Sequence, residues 1–393
     1  MKKLILFLLV VIVFTGCEKS SNPVSSAGDN KPIYPQAGYN ARNTSNPYAP
    51  SAYMSPVLNG ALAWTYSFPG QYFSDGSEFC VDSKGHIYFM SMGSPSGIYK
   101  FSPSGQVLWI KDSLMQDNYC GISLSTDESK IYVTAYIPSR SQQLYCIDSS
   151  GKTIWTLPSS STRKPVIGKS GTLYTYIDDA LSAVSPNGEI LWQNASIHDI
   201  AGKYDIAIDR EDNIYTLIQG SALVKVNSAG SIVWQGNFSV TSFGVVIDGY
   251  GNIYCIDWFQ NILYCCSPSG KLKWSKPNIN NWNVPVITSD NKILATTGLK
   301  IIEYDTAGNQ IWEAAGFPND YSDWLKLDDN DNVYFFGGIG GFNLAAGSLN
   351  SKGEQRWIYD SGVSTATNAP PALLPDGKMI LSPKRPFKIF VIN

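Results

Sequence analysis

One short unit recurs eight times along this chain: a turn that ends in glycine, followed four residues later by tryptophan. Successive tryptophans lie 37 to 46 residues apart, a period typical of four-stranded β-propeller blades. The repeat predicts an all-β fold in which the tryptophans are structural wedges between neighbouring blades. The Gly/Trp pairs are Gly60/Trp64, Gly105/Trp109, Gly151/Trp155, Gly188/Trp192, Gly230/Trp234, Gly270/Trp274, Gly308/Trp312 and Gly353/Trp357.

Each unit shows the same order of strands and turns. An apolar strand such as FGVVID (243–248) leads into a turn of the Asp-x-x-Gly type, and a second strand carries a tyrosine, as in NIYCI. A third strand, the glycine turn and the tryptophan strand follow. The turn residues suit short hairpins, and alternating apolar residues predict strands with one face in a packed layer.

The last unit is divided between the two ends of the chain. Residues 370–393 provide three strands, and the missing tryptophan strand lies at 61–68. We therefore predict an eight-bladed β-propeller of four-stranded antiparallel blades, forming a single domain over 34–393, whose last blade is closed by an N-terminal strand. Pairing of 61–68 with the strand around 387–392 tests this closure.

The first 16 residues have the pattern of an export signal. Two lysines precede an apolar stretch over 4–14 that is too short for an ordinary membrane-spanning helix. The sequence FTGC that follows resembles a bacterial lipoprotein box, which implies removal of 1–16 and lipidation of Cys17; an ordinary signal peptide is the alternative. Residues 17–33 have the composition of a flexible tether. We expect an exported protein attached to the cell envelope through its lipid anchor only.

Composition and cysteine spacing argue against two kinds of function, nucleic-acid binding and metal binding through cysteines. The net charge of −3 and the lack of a clustered basic region argue against nucleic-acid binding. The cysteines beyond the lipidation site match no metal-binding spacing. Two states of these cysteines are possible. Cys255 and Cys265 could form a cross-strand disulfide, or the cysteines could be buried free thiols. These cysteines are Cys80, Cys120, Cys146, Cys255, Cys265 and Cys266.

The stretch IDSSGKTIW (147–155) resembles the repeat of the PQQ-like propeller superfamily, and the segment 34–50 resembles the lead-in of many such propellers. The resemblance implies the propeller fold over about 34–393. The superfamily includes quinoprotein dehydrogenases, which hold pyrroloquinoline quinone and calcium. It also includes non-catalytic lipoproteins, among them the propeller subunit of the outer-membrane barrel-assembly machinery, whose architecture this chain resembles.

The residues that carry chemistry favour a non-catalytic protein. Some quinoprotein dehydrogenases stack a vicinal disulfide on their cofactor, but Cys265 and Cys266 lie within a predicted strand whose alternation directs one thiol to each face. The two histidines, His86 and His198, are expected to be solvated turn and loop residues. The acidic run DDNDN (328–332) lies where every blade has its first turn. No catalytic, metal or cofactor site is predicted.

Several aromatic residues lie in loops outside the repeat pattern. Loops that enter each blade and loops that join its middle strands should surround one mouth of the ring. Exposed aromatics of this kind are candidate binding anchors, and packing between loops is the structural alternative. The candidates are Tyr72, Phe73, Trp258, Phe259, Trp282, Tyr321 and Trp324.

These patterns favour a cell-envelope lipoprotein, at the periplasmic or outer face of the outer membrane, that serves as a scaffold for an envelope protein partner. A surface propeller that binds carbohydrate or another small ligand is the first alternative. A quinone-dependent dehydrogenase is the second. Fold alone does not choose among them, because propellers carry many functions.

Overall fold

The structure, a computed structural model, describes residues 53–68, 79–91, 96–112, 114, 121–136, 142–159, 164–198, 206–218, 222–242, 244–257, 259–279, 285–297, 300–315, 324–339, 343–364, 371–381 and 388–393. The predicted signal sequence, the tether and Cys17 lie outside these residues, so these features remain predictions. The described residues form eight four-stranded sheets in a β-propeller. None of them forms a helix with the length and apolar character that a membrane crossing needs.

Seven blades are consecutive antiparallel meanders, whose four strands neighbour one another in chain order. Blades 1 to 4 consist of β2 (Phe79–Val81), β3 (Ile87–Ser91), β4 (Gly97–Phe101), β5 (Val107–Asp112); β6 (Ile122–Leu124), β7 (Lys130–Tyr136), β8 (Gln142–Asp148), β9 (Thr153–Pro158); β10 (Val166–Ile167), β11 (Leu173–Ile177), β12 (Ala180–Val184), β13 (Ile190–Asn194); and β14 (Ala207–Ile208), β15 (Ile214–Ile218), β16 (Ala222–Val226), β17 (Ile232–Ser239).

Blades 5 to 7 repeat this order, and blade 8 joins the two ends of the chain. Their strands are β18 (Val246–Ile247), β19 (Ile253–Asp257), β20 (Ile262–Cys266), β21 (Leu272–Pro277); β22 (Val286–Ile287), β23 (Ile293–Thr296), β24 (Lys300–Tyr304), β25 (Gln310–Ala315); β26 (Trp324–Leu327), β27 (Val333–Ile339), β28 (Asn343–Leu349), β29 (Gln355–Ser364); and β30 (Ala372–Leu374), β31 (Lys378–Leu381), β32 (Lys388–Ile392), β1 (Leu62–Ser67).

The predicted closure is confirmed in blade 8. Strand β1 pairs antiparallel with β32, and the register aligns Leu62 with Ile392 and Tyr66 with Ile389. Backbone bonds continue the pairing beyond the strands, because Gly60 N donates to Asn393 O at 2.6 Å and Asn393 N donates to Ala61 O at 2.8 Å. The ring is therefore closed by hydrogen bonds between residues from the two ends of the sequence.

The predicted alternation of buried and exposed residues holds only for the outermost strands. β5 alternates between half-buried and exposed positions along its length, whereas β3 and β4 are buried at every position. The reason is that a blade packs against two neighbours, so its inner strands are covered on both faces. The hydrophobic core accordingly consists of clusters that lie between adjacent blades.

The repeat tryptophans are the wedges that the sequence predicts. Each indole ring packs against the glycine of the turn in the next blade, so closely that a Cβ on Gly105 would lie 2.8 Å from the Trp64 ring. That glycine also has positive φ, +86° at Gly105, which disfavours any other residue. We call this contact the Trp–Gly joint.

In seven of the joints the indole Nε1 also donates a hydrogen bond to a backbone carbonyl, which belongs to the glycine turn in six of them and to Val57, in the segment before β1, in the seventh. The distances are 2.9 to 3.2 Å. The pairs are Trp64–Pro103, Trp109–Ser149, Trp155–Pro186, Trp192–Ser228, Trp234–Pro268, Trp274–Thr306 and Trp357–Val57. Trp312 is the exception.

A second set of contacts, which we call latches, connects the first turns of neighbouring blades. Glu128 accepts hydrogen bonds from Ser83 N at 2.9 Å and Ser83 Oγ at 2.6 Å in the preceding blade. Asp212, Asn291 and Asp331 make equivalent bonds to the amides of Lys169, Gly249 and Ser289. All four latch residues have positive φ, a conformation that costs about 1–2 kcal/mol and that these bonds offset.

Candidate functional site

The two ends of the blades carry different connections. One end holds the turn between the first and second strands and the glycine turn between the third and fourth. The other end holds the loop between the second and third strands and the connection to the next blade. Phe259 and Trp324, the two candidate aromatics among the described residues, belong to this second end, which we call the loop end. Tyr72, Phe73, Trp258, Trp282 and Tyr321 lie outside the described residues, and Trp324 is the first residue of β26.

Phe259 is the one candidate whose side-chain environment the structure describes. It lies in the loop between β19 and β20, and 69% of its surface is exposed. The preceding strand ends at Asp257, which is buried at 1% exposure. Asp257 Oδ1 accepts hydrogen bonds from Phe259 N at 2.9 Å and from Gln260 N at 2.8 Å. The buried carboxylate therefore fixes the backbone that presents an exposed aromatic ring.

Two neighbouring segments hold the same loop from either side. Thr241 N, in the connection that leads from blade 4 to blade 5, donates to Asp257 Oδ2 at 3.0 Å. Ile279 N, after the last strand of blade 5, donates to Asn261 O at 2.9 Å. Asn261 completes the loop with positive φ, +56°. The loop is thus bonded to its own blade and to the connection from the preceding one.

This arrangement has the physical features of a binding anchor. A rigid aromatic ring offers a large contact area, and a loop that is already ordered loses little conformational entropy on binding. The Gln260 side chain donates to Asp257 Oδ2 at 3.3 Å, so its amide is also held at the loop. Tyr250, on the first turn of the same blade, provides an internal contrast, because it is 54% exposed at the opposite end of β19.

The histidines and the acidic run have structural explanations. His86 Nδ1 lies 2.8 Å from Asp82 Oδ2 in blade 1. At the equivalent position of blade 5, the side-chain amide of Asn252 donates to Asp248. His198 is an exposed residue beside Asp179. In the run 328–332, Asp328 accepts hydrogen bonds from within its own turn and from the Tyr334 hydroxyl at 2.8 Å. The described residues contain no group of three side chains suited to hold a metal ion.

The cysteines in the described residues are free and buried. Cys255 packs with Cys266 in the core between blades 4 and 5, whereas Cys265 packs in the core between blades 5 and 6. The cross-strand disulfide between Cys255 and Cys265 is therefore wrong, because the two thiols lie on opposite faces of the sheet. Burial raises the pKa of Cys265 and of Cys266 to about 12, so both are unreactive thiols near neutral pH. Cys120 lies outside the described residues.

The residues that position the candidate loop do not stand out in the sequence. Asp257 belongs to no repeat motif, and its role depends on Thr241, which comes from the connection between blades 4 and 5. A strand-ending Asp followed by two aromatic residues is the available signal, because Asp side chains commonly bond the amides two and three residues ahead. The latch residues do not stand out either, since they occupy a turn position that most propeller patterns assign to glycine.

Comparison with known proteins shows the fold and leaves the family open. No protein-family model and no curated protein matches the chain. The structure is similar to BamB from Moraxella catarrhalis, with a TM-score of 0.59 and 12% identity over 84% of this chain and 97% of that one. It is also similar to virginiamycin B lyase from Staphylococcus aureus, with a TM-score of 0.51 and 12% identity over 69% of this chain and 94% of that one. At such identities the likeness concerns the fold.

Proposed function

We propose that this protein is a non-catalytic lipoprotein of the cell envelope whose propeller binds a protein partner at its loop end. The observation that carries the proposal is the exposed Phe259 ring on a loop fixed by the buried Asp257. Trp258, beside it in the sequence, would extend the aromatic surface. Aromatic anchors on ordered backbone are the residues that dominate binding energy at protein interfaces.

Three further observations support a scaffold. The ring is closed at blade 8, so the loop end is held on a rigid frame. The described thiols are buried, Glu128 serves a latch, and Asp328 serves the first turn of blade 7. The overall fold is similar to that of BamB. Lipidation of Cys17 would attach this frame to a membrane through the 17–33 tether.

The experiment compares two aromatic substitutions on one blade. The full-length lipoprotein is cross-linked in its native envelope, purified and examined by mass spectrometry as wild type, Phe259→Ala and Tyr250→Ala. We expect a stoichiometric envelope protein with the wild type and Tyr250→Ala, and about tenfold or greater loss of it with Phe259→Ala. Circular dichroism verifies that both variants are folded. Equal recovery with all three proteins contradicts the proposal.

A small-ligand function is the second candidate, and the neighbouring side chains favour carbohydrate. An exposed ring beside the held amide of Gln260 provides a stacking surface and hydrogen-bonding groups for a sugar. A panel of oligosaccharides would raise the melting temperature of the wild type through linkage to the folded state. The rise should disappear in Phe259→Ala and persist in Tyr250→Ala.

The lipid anchor has its own test. We expect the wild-type protein, produced in a bacterium and labelled with a radioactive or alkyne fatty acid, to incorporate label and sediment with membranes. Cys17→Ser should abolish both, while a substitution at the next residue, Glu18→Gln, should leave both unchanged. Label incorporation into Cys17→Ser would contradict the assignment.

A further inference from the structure

Blade 6 departs from the repeat at the positions that form its buried polar contacts. In blades 1, 4, 5 and 7 the second-strand tyrosine donates its hydroxyl to the aspartate that opens the first turn: the pairs are Tyr88–Asp82, Tyr215–Asp209, Tyr254–Asp248 and Tyr334–Asp328. Blade 6 has Leu294 and Thr288 at these two positions. Glu303 takes the third-strand position directly opposite Leu294.

Glu303 also lies directly opposite Trp312, the tryptophan of the exceptional joint. Only 2% of Glu303 is exposed. Glu303 Oε2 and Trp312 Nε1 are both buried, and among the described residues neither makes a hydrogen bond of acceptable geometry. A buried polar atom that lacks a hydrogen bond is costly, and an ionised carboxylate is more costly still. The joint between blades 6 and 7 thus places a buried carboxyl opposite the indole, where the other joints have a well-formed bond from the indole to a backbone carbonyl.

The charges that face Glu303 come from two turns. On the turn of its own blade, the cation that acts on it is Lys292, which forms an ion pair with Asp290 at 2.9 Å. Asp290 and, from the turn of blade 7, Asp331 act on Glu303 with the same sign of charge. Burial raises the pKa of the Glu303 carboxyl to about 7, and Lys292 lowers it only in part. The Trp312 indole on β25 faces the carboxyl as a hydrogen-bond donor and lowers its pKa least among these groups.

We propose that the joint between blades 6 and 7 responds to pH: the closed joint holds the buried Glu303 carboxyl in its neutral form, and ionisation of Glu303 weakens the packing of Trp312 against Gly353. The neutral carboxyl fits the buried site, whereas the carboxylate needs solvent that the closed joint excludes. The Asp331 latch to Ser289 and the contact of the Trp312 ring with Gly353 hold the joint closed while Glu303 is neutral.

The direction of the effect follows from proton linkage. The closed joint keeps the proton up to about pH 7, whereas an open joint releases it near the ordinary carboxyl value of 4.5. The closed state therefore binds more protons between these values, and its stability falls as pH rises through them. The opening constant should increase by up to about tenfold for each pH unit in this interval and level off above about pH 7.

Hydrogen–deuterium exchange on the purified protein tests this joint without any ligand. Exchange is measured by mass spectrometry from pH 5 to pH 8 and corrected for the intrinsic pH dependence of amide exchange. We expect peptides that cover 300–315 to lose protection by about tenfold or more between pH 5 and pH 7. Peptides that cover 222–239, in blade 4, should not change.

Two variants assign the effect to one carboxyl. Glu303→Gln keeps the shape and removes the titration, so its protection over 300–315 should be independent of pH. Glu313→Gln, which removes a more exposed carboxyl from the same blade, should behave as the wild type. Wild-type protection that is constant from pH 5 to pH 8 overturns the proposal, as does a Glu303→Gln protein that retains the wild-type pH dependence. The pH dependence of wild-type protection over 300–315 tests the proposal even if a variant fails to fold.

Discussion

The joint that closes the ring and the joint between blades 6 and 7 show two ways of departing from one repeat. At the closing joint the indole of Trp357 donates to Val57 O at 3.1 Å. Arg356 Nη2 donates to the same carbonyl at 2.9 Å, and Val57 N donates to the Tyr334 hydroxyl at 2.9 Å. The segment before β1 thus contributes the acceptor that a glycine turn provides elsewhere.

The joint between blades 6 and 7 lacks this bond although the chain is continuous there. Trp312 packs against Gly353 as closely as Trp357 packs against Gly60, with a Cβ distance of 2.6 Å to the ring in both cases. The two rings therefore approach their glycines equally closely, whereas their polar contacts differ. At the joint between blades 6 and 7, ring packing and the Asp331 latch are the contacts between the turns. At the closing joint, where Trp357 meets a segment from the other end of the sequence, Arg356 adds a second hydrogen bond to the same carbonyl.

The largest expected difference follows from removing each ring. Trp357 is 7% exposed and belongs to the core between blades 7 and 8. Trp357→Ala should reduce the free energy of unfolding by about 3–5 kcal/mol, and Trp312→Ala should cost less because its ring is only partly buried and its indole makes no well-formed hydrogen bond among the described residues. Urea unfolding followed by circular dichroism measures both. Leu58→Ala, at a 72% exposed side chain, is the control, with an expected change within about 0.5 kcal/mol.

The next prediction separates packing from hydrogen bonding. Gly60→Ala and Gly353→Ala introduce the same clash with a tryptophan ring, at positive φ in both cases. Each should cost about 2–4 kcal/mol, from the strained backbone together with overpacking, and the two values should agree within about 0.5 kcal/mol. Values that differ by more than about 1 kcal/mol would show that the rings do not pack equally against Gly60 and Gly353.

A third pair removes only the indole donor. Trp357→Phe removes one of the two donors to Val57 O, since Arg356 still donates, and should cost about 0.5–1.5 kcal/mol. Trp312→Phe removes a donor that makes no well-formed hydrogen bond among the described residues, so its cost should be smaller by about 1 kcal/mol. Chemical unfolding of the two variants under identical conditions gives the difference. Equal costs would mean that the closing bond contributes nothing net.

The sequence predicts the joints well because their geometry is local and repeated. A glycine in a tight turn and a tryptophan four residues later occupy one hairpin, so their spacing is visible in the chain. The closure is predictable for the same reason: blade 8 lacks its tryptophan strand, and Trp64 precedes the first complete unit. The position of β1 beside β32 then follows from counting units.

The latches and the candidate loop depend on contacts between blades, which the spacing does not show. Glu128 reads as a turn residue until Ser83, 45 residues earlier, is found beside it. Asp257 likewise needs Thr241 from the preceding connection. The Glu303 substitution is visible when the repeats are aligned, but its burial against Trp312 is not. In the candidate loop, the sequence identifies Phe259 as a possible binding anchor. The structure adds the buried Asp257 carboxylate, which orders the backbone of the loop.

The smallest expected effect concerns the latch that supports the exceptional joint. Asp331 accepts hydrogen bonds from Ser289 N at 2.8 Å and Ser289 Oγ at 2.6 Å, and burial raises the pKa of its carboxyl. The folded state therefore disfavours the ionised form, and Asp331→Asn removes that cost while one amide oxygen still accepts from Ser289 N. Asn291 shows that an amide can make this latch, since it accepts from Gly249 N at 2.6 Å.

Near pH 7 the free energy of unfolding of Asp331→Asn should differ from that of the wild type by less than about 1 kcal/mol. Asp331→Ala, which leaves Ser289 N without its acceptor, should cost about 1–3 kcal/mol. An Asn variant as unstable as the Ala variant would show that the latch needs the charge, and that the joint between blades 6 and 7 is held by electrostatics more than by packing.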